Sequence, residues 1–426
     1  MSARIDPQQS PEQFLVIGAG PVGLAMSKAL GEQGLPHVVA EATDHVGGNW
    51  AHGVYTTAHI ISSRTTTEFP DYPMPADYPD FPSAPEMRAY YEAMADDCDL
   101  RPRIAFETPV EAVAPRDDGT WAVRFGTGVE AVFKGVFVCN GHHWDKQLPE
   151  WTEAYAGAVL HSKDYKEPAQ LAGKRVLVLG GGNSGCDLAS EAARVGAHCD
   201  WSLRRGYWFM PKSVFGRPSV ELIAGWIPVW VQRLAARLLV RIVLGSYADY
   251  GLPEPDHKVY EAHPTVNSEV FHYLQHGRIR PVSDVARVEG RRICFADGIE
   301  EEYDLVVCAT GYAVSFPFLP EGMVEVRGKT PQVLGGALVP GVRNLYIVGA
   351  FQPRYGIGPV VRPYVQLLAA WAELQDELSV PIADVLAAMG VKPEPTHLID
   401  PHAAIRKARW GRRTLGLVRW KARRMS

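Results

Sequence analysis

The sequence predicts an α/β protein built from two Rossmann-like dinucleotide-binding domains, the second inserted into the first. Three observations lead there. Short apolar runs at Phe14–Ile17, Val136–Cys139, Val176–Leu179, Leu305–Cys308 and Leu345–Val348 are each followed within three residues by a glycine. Such runs are strands buried on both faces of parallel sheets that helices cover. Two of them lead into a glycine-rich turn and then a helical pattern, and the two turns lie 162 residues apart. Strand-like runs resume after the second turn, so the second unit interrupts the first.

The first turn is Phe14-Leu-Val-Ile-Gly18-Ala-Gly20-Pro21-Val-Gly23, with Glu41 after the next apolar run, 23 residues beyond Gly18. Gly18 permits the tight turn, Gly20 lets backbone approach a pyrophosphate, and Gly23 lets the helix pack on the strand. The helix N-terminus offers amide donors and the positive end of a dipole. Glu41 can take both ribose hydroxyls, which makes this the site of FAD or a similar dinucleotide. Gly47-Gly48-Asn49-Trp50 follows, two residues without side chains and then a wide aromatic. Alone it reads equally as a plain turn; at this distance after Glu41 it reads as the approach to a flavin ring.

The second turn, Val176-Leu-Val-Leu-Gly180-Gly-Gly182-Asn183-Ser184-Gly185, repeats the device. Twenty-three residues after Gly180 stands Leu203, within Trp201-Ser202-Leu203-Arg204-Arg205, and no acid is present. Ser202, Arg204 and Arg205 can instead hold a 2′-phosphate, guanidinium forks matching phosphate oxygens, so NADPH is expected over NADH. The alternative is a pair of surface arginines ending a strand. The expected organisation is 1–165, first part of the FAD domain; 166–309, the NADPH domain with a helical insertion at about 213–250; 310–400, second part of the FAD domain; and 401–426, a basic tail. A helix from about Val361 to Glu377 would aim its N-terminus back at the flavin. Proline-rich stretches at 70–85 and 253–264 are read as ordered loops.

Bulk properties fit an ordinary enzyme. Of 426 residues, 46% are hydrophobic and 21% charged, far from disordered or disulfide-rich compositions. The six cysteines are scattered, with no Cys-x-x-Cys and no ligand-like Cys/His cluster, so neither a metal site nor a redox disulfide is expected and reduced cytoplasm is the natural compartment. The first thirteen residues lack the apolar core of a signal peptide. The net charge of −5 conceals nine Lys/Arg and no acid in 401–426, leaving −14 before them. The acidic body excludes nucleic acid as a partner; the tail reads as docked or solvated, or else, through Trp410, Leu415 and Trp420, as a membrane-surface or partner contact. The longest apolar stretch, Leu222–Val231, is too short to span a bilayer. After it Arg233, Arg237 and Arg241 alternate with Leu234, Leu238, Leu239, Ile242 and Val243, an amphipathic helix that would pack on the body or a second subunit of a homodimer, line a channel, or touch a membrane peripherally.

From about Phe14 to about Trp371 the chain resembles the flavin-containing monooxygenases. Tyr155-Ala-Gly157-Ala-Val-Leu-His161-Ser-Lys-Asp-Tyr165-Lys166 is similar to the family fingerprint FxGxxxHxxx(Y/F)(K/R), with Tyr155 for Phe. Gly48-Asn49-Trp50 and Thr310-Gly311-Tyr312 also match, and Phe69-Pro-Asp71-Tyr72-Pro73 to Pro79 is similar to the family's flavin-covering loop. The resemblance implies reduction of FAD by NADPH, reaction with dioxygen to a C(4a)-hydroperoxyflavin, and transfer of one oxygen atom to a nucleophilic nitrogen or sulfur. It also implies that Gln352, in the turn after Leu345–Val348, belongs to the flavin site. Where the family has an asparagine at the flavin's reactive face, Ile61 or Ser62 stands here, so Ser62 or Ser63 is the candidate for that hydrogen bond.

Three other readings use the same cofactor residues. Baeyer-Villiger enzymes acting on ketones end the fingerprint with Trp and then Pro or Asp, unlike Tyr165-Lys166. A flavin disulfide reductase needs paired cysteines that are absent. An NADPH oxidase or redox-sensing flavoprotein would release peroxide whatever substrate is added. Trp208, Phe209, Trp226 and Trp230 suggest an apolar ligand or, equally, simple packing.

Overall fold

A computed structural model describes residues 3–5, 11–222 and 227–425, which leaves Trp226 and part of the Leu222–Val231 stretch outside the described residues. The chain folds into two compact units. One comprises 1–53, 64–142 and 314–426; the other comprises 54–63 and 143–313.

In the first unit a parallel sheet runs in the order Leu345–Ile347, Gly135–Val138, Phe14–Ile17, His37–Ala40, Ile104–Ala105. Phe14–Ile17 is buried on both faces, as its uninterrupted apolar run requires. The helix Pro21–Glu32 follows it with proline at the first turn, where a missing N–H leaves no carbonyl unserved. One side of the sheet packs on a three-stranded antiparallel sheet, Val110–Pro115, Trp121–Phe125 and Glu130–Phe133, to form a core around Leu15, Val136, Phe125 and Phe133.

The second unit repeats the plan in the order Arg280–Val282, His198–Ser202, Arg175–Leu179, Leu305–Cys308, Ala158–His161, again all parallel. The helix Asn183–Val195 follows the central strand. The boundary expected at residue 165 falls at 142/143, because Ala158–His161 pairs along Leu305–Cys308 and so completes the second sheet. Residues 54–63 also belong to this unit, although both of their chain neighbours belong to the other.

The basic tail is docked. Its helices Pro401–Arg413 and Leu415–Ala422 pack on Gly358–Gln375 and Ile382–Ala388, and Arg419 grips Glu377 with two bonds of 2.7 Å. Leu398–Ile399 adds a short parallel strand beside Gln352–Pro353. In the helix Val229–Val243 Gln232, Ala236 and Val240 are buried and Leu239 is half-buried, while Leu234, Leu238 and Ile242 point outward. Among the described residues no helix is long and apolar enough to cross a membrane.

Candidate active site

The two glycine turns are built alike. Ile17 stands opposite Ala40 and Leu179 opposite Ser202, so Glu41 and Leu203 hold the same place after their strands. Gly18 N–H donates to the Ala40 carbonyl at 2.8 Å and Gly180 N–H to the Ser202 carbonyl at 3.0 Å. Gly18 and Gly180 take φ of +97° and +105°, the left-handed region that favours glycine. A Cβ at Gly23 would lie 1.9 Å from the Gly18 carbonyl oxygen, and one at Gly185 would lie 2.0 Å from that of Gly180.

At the first turn the Glu41 carboxylate accepts from Ala19 N–H at 2.6 Å and, through its other oxygen, from the N–H and hydroxyl of Thr43 at 2.9 and 2.8 Å. It therefore braces the turn, and with about four acceptor positions on a carboxylate it keeps capacity for a ribose hydroxyl. Gly47 N–H donates to the Ala19 carbonyl at 3.0 Å, which stitches the Gly47-Gly48 turn to the first one. A Cβ on Gly20 would meet nothing closer than Gly48 Cα at 3.7 Å, so a backbone cradle lies open there. The buried Asn49 Oδ1 has no hydrogen-bond partner, which calls for a donor from outside the chain. An open cradle, an orphaned acceptor and a braced acid fit a dinucleotide with a flat polar ring; Trp50 lies half-buried alongside.

At the second turn Gly182 is equally open. Asn183 is tied down, its Oδ1 accepting from Val266 N–H at 2.8 Å. Ser202 is 3% exposed and gives its hydroxyl proton to the Ser283 carbonyl at 2.8 Å, so its donor is already engaged. Arg204 and Arg205 are exposed, and the Arg205 guanidinium lies 5.3 Å from the centre of the Tyr207 ring. Of the three residues, only the two arginines present exposed side chains.

The Tyr155–Lys166 fingerprint acquires a physical account. Tyr155 donates to the Tyr303 carbonyl at 3.0 Å, and a Cβ on Gly157 would strike the Tyr155 ring at 2.5 Å. Burial pushes the His161 imidazole below its ordinary pKa. It stays neutral, Nδ1 accepting from Lys163 N–H at 3.1 Å while Nε2–H donates to the Gly311 carbonyl at 3.1 Å. The Thr310 hydroxyl donates to the Gln147 carbonyl, so the Thr310-Gly311 corner, with φ of +87° at Gly311, is pinned from two sides. Tyr165 donates to the buried Glu191 at 2.7 Å. In the first unit, Gln352 N–H bonds the His397 carbonyl at 2.9 Å.

Ser62 and Ser63 lie at the end of the 54–63 segment, Ser63 fully buried and Ser62 half-buried beside Ile61. What the sequence reading missed is how this segment is held. Tyr55 donates to Asp187 at 2.7 Å and Thr57 to Glu191 at 2.9 Å. The signal was present: Ser184, Asp187 and Glu191 recur at i, i+3 and i+7 and so form a polar stripe along one side of the helix. One group of potential metal ligands, Asp44, His45 and His52, occurs among the described residues, but the Arg88 guanidinium sits 3.1 Å from His45 Nε2 and places a positive charge where a cation would bind.

Residues 12–373 match the family described as flavin-binding monooxygenase-like. The chain belongs to that family. Flavin-containing monooxygenase 5 of Oryctolagus cuniculus is 33% identical, over 85% of this chain and 73% of its own. Dimethylaniline monooxygenase [N-oxide-forming] 2 of Rattus norvegicus is 32% identical over 85% and 72%. In fold the chain is similar to cyclohexanone monooxygenase from Rhodococcus sp. Phi1 bound to NADP+, with a TM-score of 0.72 at 18% identity, covering 96% of this chain and 98% of that one. This flavin-binding monooxygenase-like chain is thus an oxidoreductase, a flavin-dependent monooxygenase. Small molecules and dioxygen are its reactants. The family match stops at 373, so the docked basic tail lies beyond it.

Proposed function

We propose that the chain transfers one oxygen atom of dioxygen to a nucleophilic nitrogen or sulfur of a small apolar molecule; the other leaves as water while NADPH and a proton become NADP+. The observation that carries this is the pair of equally built turns, one ending in Glu41 and the other in Leu203-Arg204-Arg205. Glu41, Gly18, Gly20, Pro21, Gly23 and the Gly48-Asn49-Trp50 turn would hold FAD, with Gln352, Thr310 and Gly311 as further candidates for cofactor binding. Gly180, Gly182, Asn183, Ser184 and Gly185, with Arg204 and Arg205, would hold NADPH. The bound flavin supplies the redox chemistry. The chain's own part is to bind and orient, with Ser62 or Ser63 offering the hydrogen bond that Ile61 cannot. The test is to supply FAD-loaded enzyme and NADPH with dimethylaniline, a thioether and cyclohexanone, and to measure product and hydrogen peroxide per NADPH. N-oxide or sulfoxide is the expected product. Lactone alone, or one peroxide per NADPH with every substrate, would overturn the reading. Six free thiols, five of them buried, support a cytoplasmic location.

We also propose that the 229–243 helix rests on an anionic membrane surface. Its outward stripe exposes Trp230 at 69%, Leu234 at 62%, Leu238 at 59% and Ile242 at 73%. The same helix carries Arg233, Arg237 and Arg241 and no acid. A two-fold dimer would set this patch against itself, cation on cation, whereas anionic lipid headgroups complement it. Sedimentation with phosphatidylcholine vesicles containing phosphatidylglycerol is expected, and not with phosphatidylcholine alone; Leu234→Glu/Leu238→Glu should abolish it. No sedimentation, or sedimentation unaffected by the double substitution, would remove this proposal.

A further inference from the structure

In open parallel sheets, ligands bind beyond the carboxyl ends of the strands. In the first unit those ends stand level: Ile17 is opposite Val138, and Val138 is opposite Ile347. Gly18 opens the first glycine turn after one of them, and Gly349, with φ of +77°, follows another. A Cβ on Gly349 would lie 3.0 Å from Val22 Cγ2, so the turn after Leu345–Ile347 abuts the start of the helix Pro21–Glu32. At its far end a Cβ on Gly356 would lie 2.3 Å from the Thr66 carbonyl oxygen, and one on Gly358 2.0 Å from that of Glu68. The 349–358 turn is therefore a wall beside the first glycine turn, packed with no room for a side chain at either end.

Between those ends the wall is held by the stretch 397–413, which lies beyond the family match. Gln352 N–H donates to the His397 carbonyl at 2.9 Å and Arg354 N–H to the Ile399 carbonyl at 3.2 Å. The His397 ring stands edge-on to that of His142, 4.8 Å between centres, so the same stretch also reaches the chain that leaves Gly135–Val138. The Arg354 side chain is 5% exposed and pairs with Asp400. The other Asp400 oxygen accepts from Ala403 N–H at 2.8 Å and caps the helix Pro401–Arg413. One carboxylate thus serves a buried guanidinium and a helix start. A guanidinium buried without its anion is strongly unfavourable, so the turn keeps its shape only while this stretch is docked. We propose that Asp400 is a positioning residue of the FAD site: through Arg354 it fixes the 349–358 turn against the first glycine turn, and the docked C-terminal helix thereby sets how tightly the dinucleotide is held. Asp400 itself touches no reacting atom. This rests on the reading that FAD occupies the first glycine turn.

The experiment measures the FAD dissociation constant by flavin fluorescence, and the visible circular dichroism of the bound flavin, in wild type, Asp400→Asn, Arg354→Met, the double variant and Arg419→Ala. Asparagine caps a helix as well as aspartate does, so Asp400→Asn keeps the helix start and removes only the charge that Arg354 needs. Its dissociation constant should rise about tenfold, a fraction of the full penalty for orphaning a buried guanidinium, with an altered flavin dichroism. Added to Arg354→Met, the same change should cost less than about twofold more, because both substitutions act through one contact. Arg419→Ala breaks the exposed pair with Glu377 elsewhere on the docked tail, and its FAD affinity should stay within about twofold of wild type. Should Asp400→Asn alone fail to fold, the double variant, which buries no unpaired charge, decides: FAD affinity equal to wild type there overturns the inference. Unchanged affinity and dichroism in Asp400→Asn, additive losses in the double variant, or an equal loss in Arg419→Ala also overturn it while leaving the cofactor reading intact. Wild type that takes up no FAD ends both.

Discussion

Gly23→Ala protein is expected to leave purification with less than a tenth of the wild-type flavin, read as the ratio of flavin to protein absorbance. The added Cβ would sit 1.9 Å from the Gly18 carbonyl oxygen, so the helix must move off the strand or the turn must open. Either shift displaces Ala19, whose N–H is one of the donors holding Glu41 at 2.6 Å, and the pyrophosphate cradle loses both its backbone and its brace. Overpacking of this kind costs about 1–3 kcal/mol, so the fold itself could suffer. Gly20→Val separates the two effects. Its Cβ has open space, 3.7 Å from Gly48 Cα, so the chain should fold with an unchanged unfolding temperature yet still lose flavin, because the branched side chain fills the cradle. Full flavin occupancy in Gly20→Val would show that the first turn is not the cofactor site.

Arg204→Ala/Arg205→Ala should lower kcat/KM for NADPH on the order of 10²-fold while changing that for NADH by no more than about twofold. Two charge-assisted bonds to a phosphate contribute about 1.5–3 kcal/mol each when made in full, and both guanidinium groups are exposed, which trims that toward its lower end. Ser202 cannot compensate with a donor, since its proton goes to the Ser283 carbonyl. The effect should shrink as salt is raised, because screening already weakens the wild-type contact. An equal loss for both coenzymes would mean that the arginines hold the strand end rather than the 2′-phosphate.

The fold and the cofactor turns were legible because they depend on local rules. A buried parallel strand must be apolar along its whole length, a left-handed turn residue is cheapest as glycine, and a helix packed on a strand tolerates no side chain at the crossing. Each leaves a mark within about ten residues, and the spacing from Gly18 to Glu41 or from Gly180 to Leu203 is simply strand, turn and helix laid end to end. The Tyr155–Lys166 fingerprint was legible as a pattern and opaque as chemistry. Its histidine bonds Gly311, 150 residues away, and no local rule connects those two.

The sequence by itself therefore determined the two nucleotide units, their order, the missing acid at Leu203 and the family. Only the tertiary structure decided that Ala158–His161 completes the second sheet, that Ser202 turns its proton inward, and that Leu234 and Leu238 of the 229–243 helix face outward while a 3.6-residue period alone leaves the facing of each stripe open. It also placed the 54–63 segment on Asp187 and Glu191. The physical reason is the same in each case: strand pairing, side-chain direction and hydrogen-bond partners depend on residues brought together from distant parts of the chain, and the linear pattern records the donor and the acceptor without recording that they meet.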